Sequence, residues 1–293
     1  MDSVRADQLI FANVEAEQSP AGKRGFQTIL LTQGGFTAED MYRIEERLFY
    51  VPGSRQVDKH VFFGRGDARF VVARVVACEG TDRFGRGGRY LAHALAFSAR
   101  DFGQLGNNPF RVFRRFPFLD TVEQALSVGD LRSGSIEPAK VEVPDAAAGG
   151  SSTDFDPREF LPLLLLACQA RALSEERRPL AFVGNPAAMF ELLEGLFSVL
   201  PSAVRRDCWF DTVFSEGSVG RIPCFAIGLP PGEPKPQGSL VFDLEGARFQ
   251  GVVDVQPPHL FARWVKQVAE TNRGAARRLS LQGDAAFVMA SWG

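Results

Sequence analysis

The sequence predicts an α+β protein of two α/β-type domains, each a mixed, mainly antiparallel sheet flanked by amphipathic helices. Three observations lead there. Short runs dense in Val, Phe and Leu recur along the chain, set off by Gly, Pro and Asp clusters, as strands are. Between them lie stretches whose apolar residues return at helical spacing. A Gly-, Ser- and Ala-rich stretch, PDAAAGGSSTDFDP at 144–157, then breaks the chain near its middle. The expected boundaries are 1–145 for a strand-rich N-terminal domain, 146–156 for a linker and 157–293 for a second domain. A length of 293 residues suits two domains better than one.

In the N-terminal region, QLIFANVE (8–15) and RGFQTILLT (24–32) read as strands joined by a turn-like SPAGK. Thr37 and Asp40 make a capping-box-like start, and Met41, Ile44 and Leu48 then repeat at helical spacing. The spacing predicts an amphipathic helix over 38–48 with Glu39, Glu45 and Glu46 outside. HVFFG and ARFVVARVVAC (60–78) are strands, and RYLAHALAFS (89–98) is a strand or a short helix. NPFRVFRRFPF (108–118) reads as an edge strand stopped by Pro117, which places Phe110, Val112, Arg114 and Phe116 on one face. DTVEQALS (120–127) is a short helix.

The second region alternates helices and strands. Asp156 and Pro157 open a helix running to about Leu173. RPLAFVG (178–184) is a strand, and Asn185-Pro186 caps a helix with the stripe Met189, Leu192, Leu193, Leu196, Phe197 and Leu200. CWFDTVF and IPCFAIG are strands, and PPGEPKPQG (230–238) is a loop. SLVFDL and ARFQGVVDV form a hairpin around Glu245-Gly246. HLFARWVKQVAE (259–270) is an amphipathic helix through Phe261, Trp264, Val265 and Val268, and the last twenty residues carry no clear signal.

Composition excludes several classes. A net charge of −2 argues against a general nucleic-acid binder. Cys78, Cys168, Cys208 and Cys224 are far apart and form no CxxC pair, which argues against a zinc cage. MDSVRADQ lacks the apolar core of a signal peptide, so the thiols read as reduced and the chain as cytoplasmic. The most apolar run, FLPLLLLACQA at 160–170, is too short to span a bilayer. No HxH, HExxH or DxDxDG occurs, so neither a metal nor a cofactor is expected. The chain holds 26 Phe against 3 Tyr and 3 Trp, a composition that buries area without asking for hydroxyl partners.

Few places look like chemistry. GRGGRYLAHALAF (85–97) raises a phosphate-cradling loop with a catalytic His93, but Gly85, Gly87 and Gly88 match neither GxGxxG nor GxxxxGK[ST]. The turn therefore reads as a strand connection, with Arg83, Arg86 and Arg89 as candidate contacts for an anion or a partner. His93 lies among apolar neighbours and reads as a packed core residue; a Cys78–His93 nucleophile pair is the enzymatic alternative. FRVFRRF (110–116) interleaves basic and aromatic residues, as single-strand binding surfaces do, and adds Arg111, Arg114 and Arg115 to the candidate contacts. The edge-strand reading accounts for the same charges as protection against sheet-to-sheet pairing, and a free edge could accept a partner strand. VGNPAAMF (183–190) presents a helix N-terminus that reads as an ordinary cap, and 230–238 is a further candidate contact loop.

Several of these segments together resemble bacterial GTPase-associated protein 1. DQLIFANVE followed by GKRGFQTILLTQGGFTAEDMYRIEERLFY is similar to the start of its N-terminal domain, and GRGGRYLAHALAF resembles its Gly-Arg to Ala-His segment. RPLAFVGNPAAMFELLEGLFSVLPSAVRRDCWFDTVF resembles its middle domain, so that the likeness covers about 8–120 and 157–230. The family often continues into a further C-terminal domain, whereas this sequence ends at Gly293. The resemblance implies a non-enzymatic adaptor or scaffold of GTPase-centred conflict (defence) systems, partnered by a GTPase and effector modules. It supplies no catalytic residues. The alternatives are a hydrolase using Cys78 and His93, or a nucleotide or nucleic-acid binder using the Arg83–Arg89 turn and the 110–116 segment.

Overall fold

The computed structural model describes residues 2–50, 57–65, 69–79, 88–143, 155–175, 178–214, 224–251, 253, 255, 257, 259–271 and 274–290. The protein is α+β, as its composition of runs predicts. It divides into two compact units. The first comprises Met1–Leu105, Arg111–Val143 and Val213–Ile222; the second comprises Gly106–Phe110, Pro144–Thr212 and Pro223–Gly293.

The first unit is built on β1 (Ser3–Val14), β2 (Gly25–Leu31), α1 (Ala38–Leu48), β3 (Lys59–Arg65), β4 (Arg69–Ala77), β5 (Tyr90–Ser98), α2 (Ala99–Gln104), most of α3 (Pro109–Arg115), α4 (Val122–Val128) and β6 (Ala139–Glu142). Its strands run in the order β3-β4-β5-β1-β2, all antiparallel, and β6 pairs with the first residues of β1. β1 is the long organiser: twelve residues let it pair with β6 at one end and lie between β5 and β2 at the other. The register of β1 against β2 slips between Ile10 and Phe11, so Ile29 is a bulged residue. Ile29 and Leu30 therefore both reach the same apolar cluster, which strict alternation would forbid.

Each face of this sheet has its own cover. On one face β5 offers only Ala92, Ala94 and Ala96 after Tyr90, and α1 lies on that side. There the Arg47 guanidinium stands 3.9 Å from the centre of the Phe63 ring, and Thr28 donates to Glu45. α1 begins as the sequence predicts. Thr37 Oγ1 accepts from the Asp40 amide and Asp40 Oδ2 accepts from the Thr37 amide, a reciprocal cap. Ile44 and Leu48 are buried and Glu39 is exposed. On the other face, α4 closes over Ile10, Leu30, Val76 and Leu91 with Val122 and Ala125. α2, capped by Ser98, sets Phe102 within 5.0–5.7 Å of the rings of Phe62, Phe70 and Phe97.

One segment departs from its expected form. The edge strand expected over 108–118 is the helix α3. Asn108 Oδ1 accepts from the Phe110 amide and Pro109 occupies the first helical position, a start signal that outweighs the Phe/Arg alternation. The aromatic spacing of three (Phe110, Phe113, Phe116) is helical, and Arg114 is exposed while Phe110 and Val112 are buried, so these residues do not share one face.

The second unit holds α5 (Leu161–Ala167), α6 (Ala170–Glu175), β7 (Leu180–Val183), α7 (Pro186–Val199), α8 (Ser202–Arg205), β8 (Phe210–Asp211), β9 (Ala226–Leu229), β10 (Leu240–Asp243), β11 (Arg248–Phe249), α9 (Leu260–Thr271) and α10 (Ala275–Ala290). β10, β7, β9 and β8 are parallel neighbours and β11 adds an antiparallel edge, so this sheet is mainly parallel, where the sequence predicts a mainly antiparallel one. The helix expected from 157 to 173 is two helices, broken at Cys168-Gln169. α7 follows its stripe, with Met189, Leu193, Leu196 and Phe197 buried, and Asn185 Oδ1 caps it by accepting from Ala187. Phe110 centres an aromatic cluster here, 4.9–5.4 Å from Phe190, Phe197 and Phe210. Among the described residues no helix is long and apolar enough to cross a membrane.

Gly228 in β9 lies against the backbone of Thr212. A Cβ placed there would stand 2.0 Å from the Thr212 carbonyl oxygen, and backbone cannot move aside as a side chain would. Gly228→Ala is expected to destabilise the second unit by more than about 2 kcal/mol, measured as a shift in the urea midpoint.

Candidate functional site

Strand pairing aligns three basic side chains across the first unit's sheet. His60 on β3 is opposite Arg74 on β4, and Arg74 is opposite His93 on β5. Directly paired residues point to the same side, so the three form a row on one face. The stretch from α3 to α4 lies over that row. The ring of Phe113 meets His60 edge-on at 4.9 Å, and Phe116 and Phe118 meet His93 edge-on at 5.4 and 5.5 Å. Arg74 binds Asp58 Oδ2 through Nε and Nη2 at 2.8 and 2.7 Å, and Asp120 Oδ1 through Nη1 at 2.8 Å.

His93 is locked. It is 2% exposed, and both ring nitrogens are engaged. The Leu119 amide donates to Nδ1 at 3.2 Å, so the proton is on Nε2, which donates to Gln8 Oε1 at 2.8 Å. Gln8 in turn donates from its amide to the Glu137 carbonyl at 2.5 Å. Burial pushes the His93 pKa down to about 3, which leaves the ring neutral at physiological pH. Burial also lowers His60, to about 4, with Asp58 opposing the shift and Arg74 and Arg114 adding to it. The row ties a loop to a sheet; it offers no open acid or base.

The enzymatic alternative needs Cys78 beside His93, and the structure does not bring them together. Cys78 is four residues beyond Arg74, the residue paired with His93, which is about 13 Å along the strand. Its thiol packs against the apolar cluster under α4, and burial pushes its pKa up.

Of the candidate contact residues, Arg83 and Arg86 lie outside the described residues. Arg89 is half-buried at the entry of β5 and donates to the Asn13 carbonyl at 3.1 Å. Arg111, Arg114 and Arg115 share α3. Arg111 donates to the Leu105 carbonyl, and burial together with the nearby Arg115 lowers its pKa; Arg114 and Arg115 are exposed. The described arginines among these candidates thus separate into a helix-borne set and one residue at the end of the sheet.

Sequence reasoning missed a cleft of about 350 Å³ in the second unit, where Cys168, Arg171, Asp207 and His259 meet. Ninety-one residues separate Cys168 from His259, and no local pattern announces the pairing. His259 caps α9: its Nδ1 accepts from the Ala262 amide at 3.2 Å, and Nε2 faces the Cys168 carbonyl at 3.3 Å, not the thiol. Burial pushes the Cys168 thiol up to about 12, which keeps it protonated at neutral pH. Among the described residues no group of three or more His, Cys, Asp or Glu could hold a metal.

Residues 5–130 match the family model of GTPase-associated protein 1, N-terminal domain type 2. That part of the chain belongs to the GTPase-associated protein 1 family. No curated protein matches the chain. The GTPase-associated domain takes in the whole His60–Arg74–His93 row, Gln8, Asp120 and α3. The polar row is therefore internal architecture of that domain.

Two outcomes test this account. His93 binds no proton in the folded chain until pH falls to about 3, whereas an unfolded histidine titrates near 6.5, so between those values the unfolded chain holds more protons. The contribution is intact above about 6.5 and is lost as pH falls, by at most about 1.4 kcal/mol per pH unit. Urea unfolding of the wild type and of His93→Asn, compared at pH near 7 and near 4.5, is expected to show a steeper loss in the wild type. At neutral pH, iodoacetamide is expected to label Cys78 at least about tenfold more slowly than a free thiol, read by mass spectrometry.

Proposed function

We propose that the chain is a non-enzymatic, cytoplasmic adaptor of a bacterial GTPase-centred conflict system, holding a GTPase and, with it, effector proteins. One observation carries the reading. A domain of the GTPase-associated protein 1 family directs its titratable row inward under a loop, with His93 saturated by hydrogen bonds, while α3 exposes arginines. Groups that are consumed by folding do not turn over substrate, and what the domain offers outward is surface.

Arg114 and Arg115 are the contacts assigned to an acidic patch on the partner, with Arg111 held at their base and Arg89 as a separate contact. Guanidinium groups suit this task, because their planar fork meets carboxylates two bonds at a time. Charged groups at an exposed rim speed association and select partners more than they add affinity.

The experiment is co-purification of the chain with a GTPase encoded beside it, loaded with GDP or with a non-hydrolysable GTP analogue. Capture of one nucleotide state at least about tenfold better than the other is expected, and Arg114→Glu/Arg115→Glu is expected to weaken capture by about tenfold or more. Equal capture of both states, no capture, or indifference to the charge reversal overturns the assignment.

A further inference from the structure

The α1 face of the first unit's sheet ends in a group of rings that α1 does not fully cover. Tyr90 is its hub: Phe26 lies 4.6 Å from it, Phe11 6.2 Å, and Tyr50 meets it edge-on at 5.8 Å. Tyr90 and Tyr50 are buried and form the floor. Phe26, on the last strand of the sheet, and Phe49, which ends α1 next to Tyr50, are 45% and 46% exposed. Lys59 fixes Phe49 by donating from Nζ to its carbonyl at 2.8 Å. Two phenylalanines thus keep nearly half of their accessible surface in water beside an aromatic floor.

A carboxylate stands beside them. Glu45 is one helical turn before Phe49, so the two side chains share a face of α1. Thr28, two residues from Phe26 on β2, donates to Glu45 Oε1 at 2.5 Å, which ties the carboxylate to the strand that carries the second ring and leaves Oε2 for another donor. Burial above all, with the Glu45 charge adding to it, pushes the Tyr90 hydroxyl up to about 12, against a hydrogen bond to the Tyr50 backbone. No cation is paired with Glu45 among the described residues. Arg43 is bound to Glu39 at 2.6 Å, Arg47 lies over the Phe63 ring at 3.9 Å, and Arg24 has a partner other than Glu45. On α1 as a whole, Glu39, Asp40, Glu45 and Glu46 outnumber Arg43 and Arg47, so the helix presents negative charge.

Rings and carboxylate together specify a cation of a particular shape. An ammonium pairs with a carboxylate but keeps its shell of water, whereas a planar guanidinium lies flat on an exposed ring and still donates from its edge. We infer that this corner of the GTPase-associated domain docks an arginine-bearing segment of a partner protein, the guanidinium lying on the Phe49 ring and donating to Glu45, and Phe26 covering the methylenes of the same side chain. The inference goes beyond the adaptor reading and does not rest on it, since the contact is made by α1 and β2 and neither a GTPase nor the arginines of α3 enter it.

Three blocked peptides test it, in which glycine alternates with arginine, with lysine or with citrulline, each titrated into the full chain by calorimetry and by fluorescence anisotropy. The arginine peptide is expected to bind with a Kd below about 1 mM. It is expected to bind at least about threefold more tightly than the lysine peptide, and at least about tenfold more tightly than the citrulline peptide, which keeps the shape and loses the charge. Glu45→Gln and Phe49→Ala are each expected to weaken the arginine peptide by about threefold, and together by about tenfold, with the urea midpoint as the check on folding. If Phe49→Ala does not fold, Phe49→Leu replaces it, keeping the bulk and removing the ring face. Glu123→Gln, which removes an exposed acid on α4 at the other face of the sheet, is expected to change nothing. A Kd above about 1 mM for the arginine peptide, equal affinity for the lysine or citrulline peptide, an equal loss in Glu123→Gln, or indifference to the changes at Glu45 and Phe49 overturns the inference.

Discussion

The buried imidazole of His93 is the constraint on which the first unit depends. A protonated ring could not accept from Leu119, and the other tautomer could not donate to Gln8. Only the neutral form with its proton on Nε2 satisfies both neighbours, and burial holds that form by keeping the pKa near 3. The consequence is a relay from the Leu119 amide through His93 and Gln8 to the Glu137 carbonyl. Four places distant in sequence are thereby fixed at once: the loop before α4, the centre of β5, the middle of β1 and the approach to β6. Each bond is worth about 1 kcal/mol net, but a partner left unsatisfied in the interior costs about 1–3 kcal/mol, so the relay specifies one arrangement more than it adds stability.

The phenylalanine-rich composition makes such a relay possible. A Phe core asks for no hydrogen-bond partners of its own, so it competes for none of the groups that the relay uses. The rings form separate clusters: Phe62, Phe70, Phe97 and Phe102 on one face of the first sheet, and Phe110, Phe190, Phe197 and Phe210 in the second unit. On the other face of β5 the small Ala92, Ala94 and Ala96 leave room beneath α1. Leu91, His93, Leu95 and Phe97 on one side, and three alanines after Tyr90 on the other, are how one strand serves two differently filled layers.

Much of this was legible from local pattern and the rest was not, for identifiable reasons. The reciprocal cap of Thr37 and Asp40, the α7 stripe and the apolar strand β4 are local signals, and each appears where the pattern places it; β5 is a strand where the pattern allows a strand or a short helix. Asn-Pro starts a helix at 185–186, as its pattern predicts, and starts another at 108–109, where the alternation of Phe and Arg imitates a strand. α10 escaped because Gly283 and three exposed apolar residues, Leu281, Val288 and Met289, blur its stripe. The packed reading of His93 was available from its apolar neighbours, but its partners Gln8 and Leu119 are long-range and invisible locally. The same holds for the second cleft, which exists only because α6, α8, α9 and α10 converge. Nor does any local pattern assign 106–110 and 213–222 to units other than those of their immediate neighbours.

The helical form of α3 changes what its arginines mean. On a strand, charge at an edge defends against aggregation and needs no partner. On a seven-residue helix, Arg114 and Arg115 are in the last turn, where the helix dipole favours positive charge by about 0.3–1 kcal/mol. That local role asks only for a cation, and lysine would satisfy it as well. A role at a partner's carboxylates asks for the planar fork that lysine lacks. The two roles are therefore separable in principle: what helix stability requires of these positions is charge, and what recognition requires is shape.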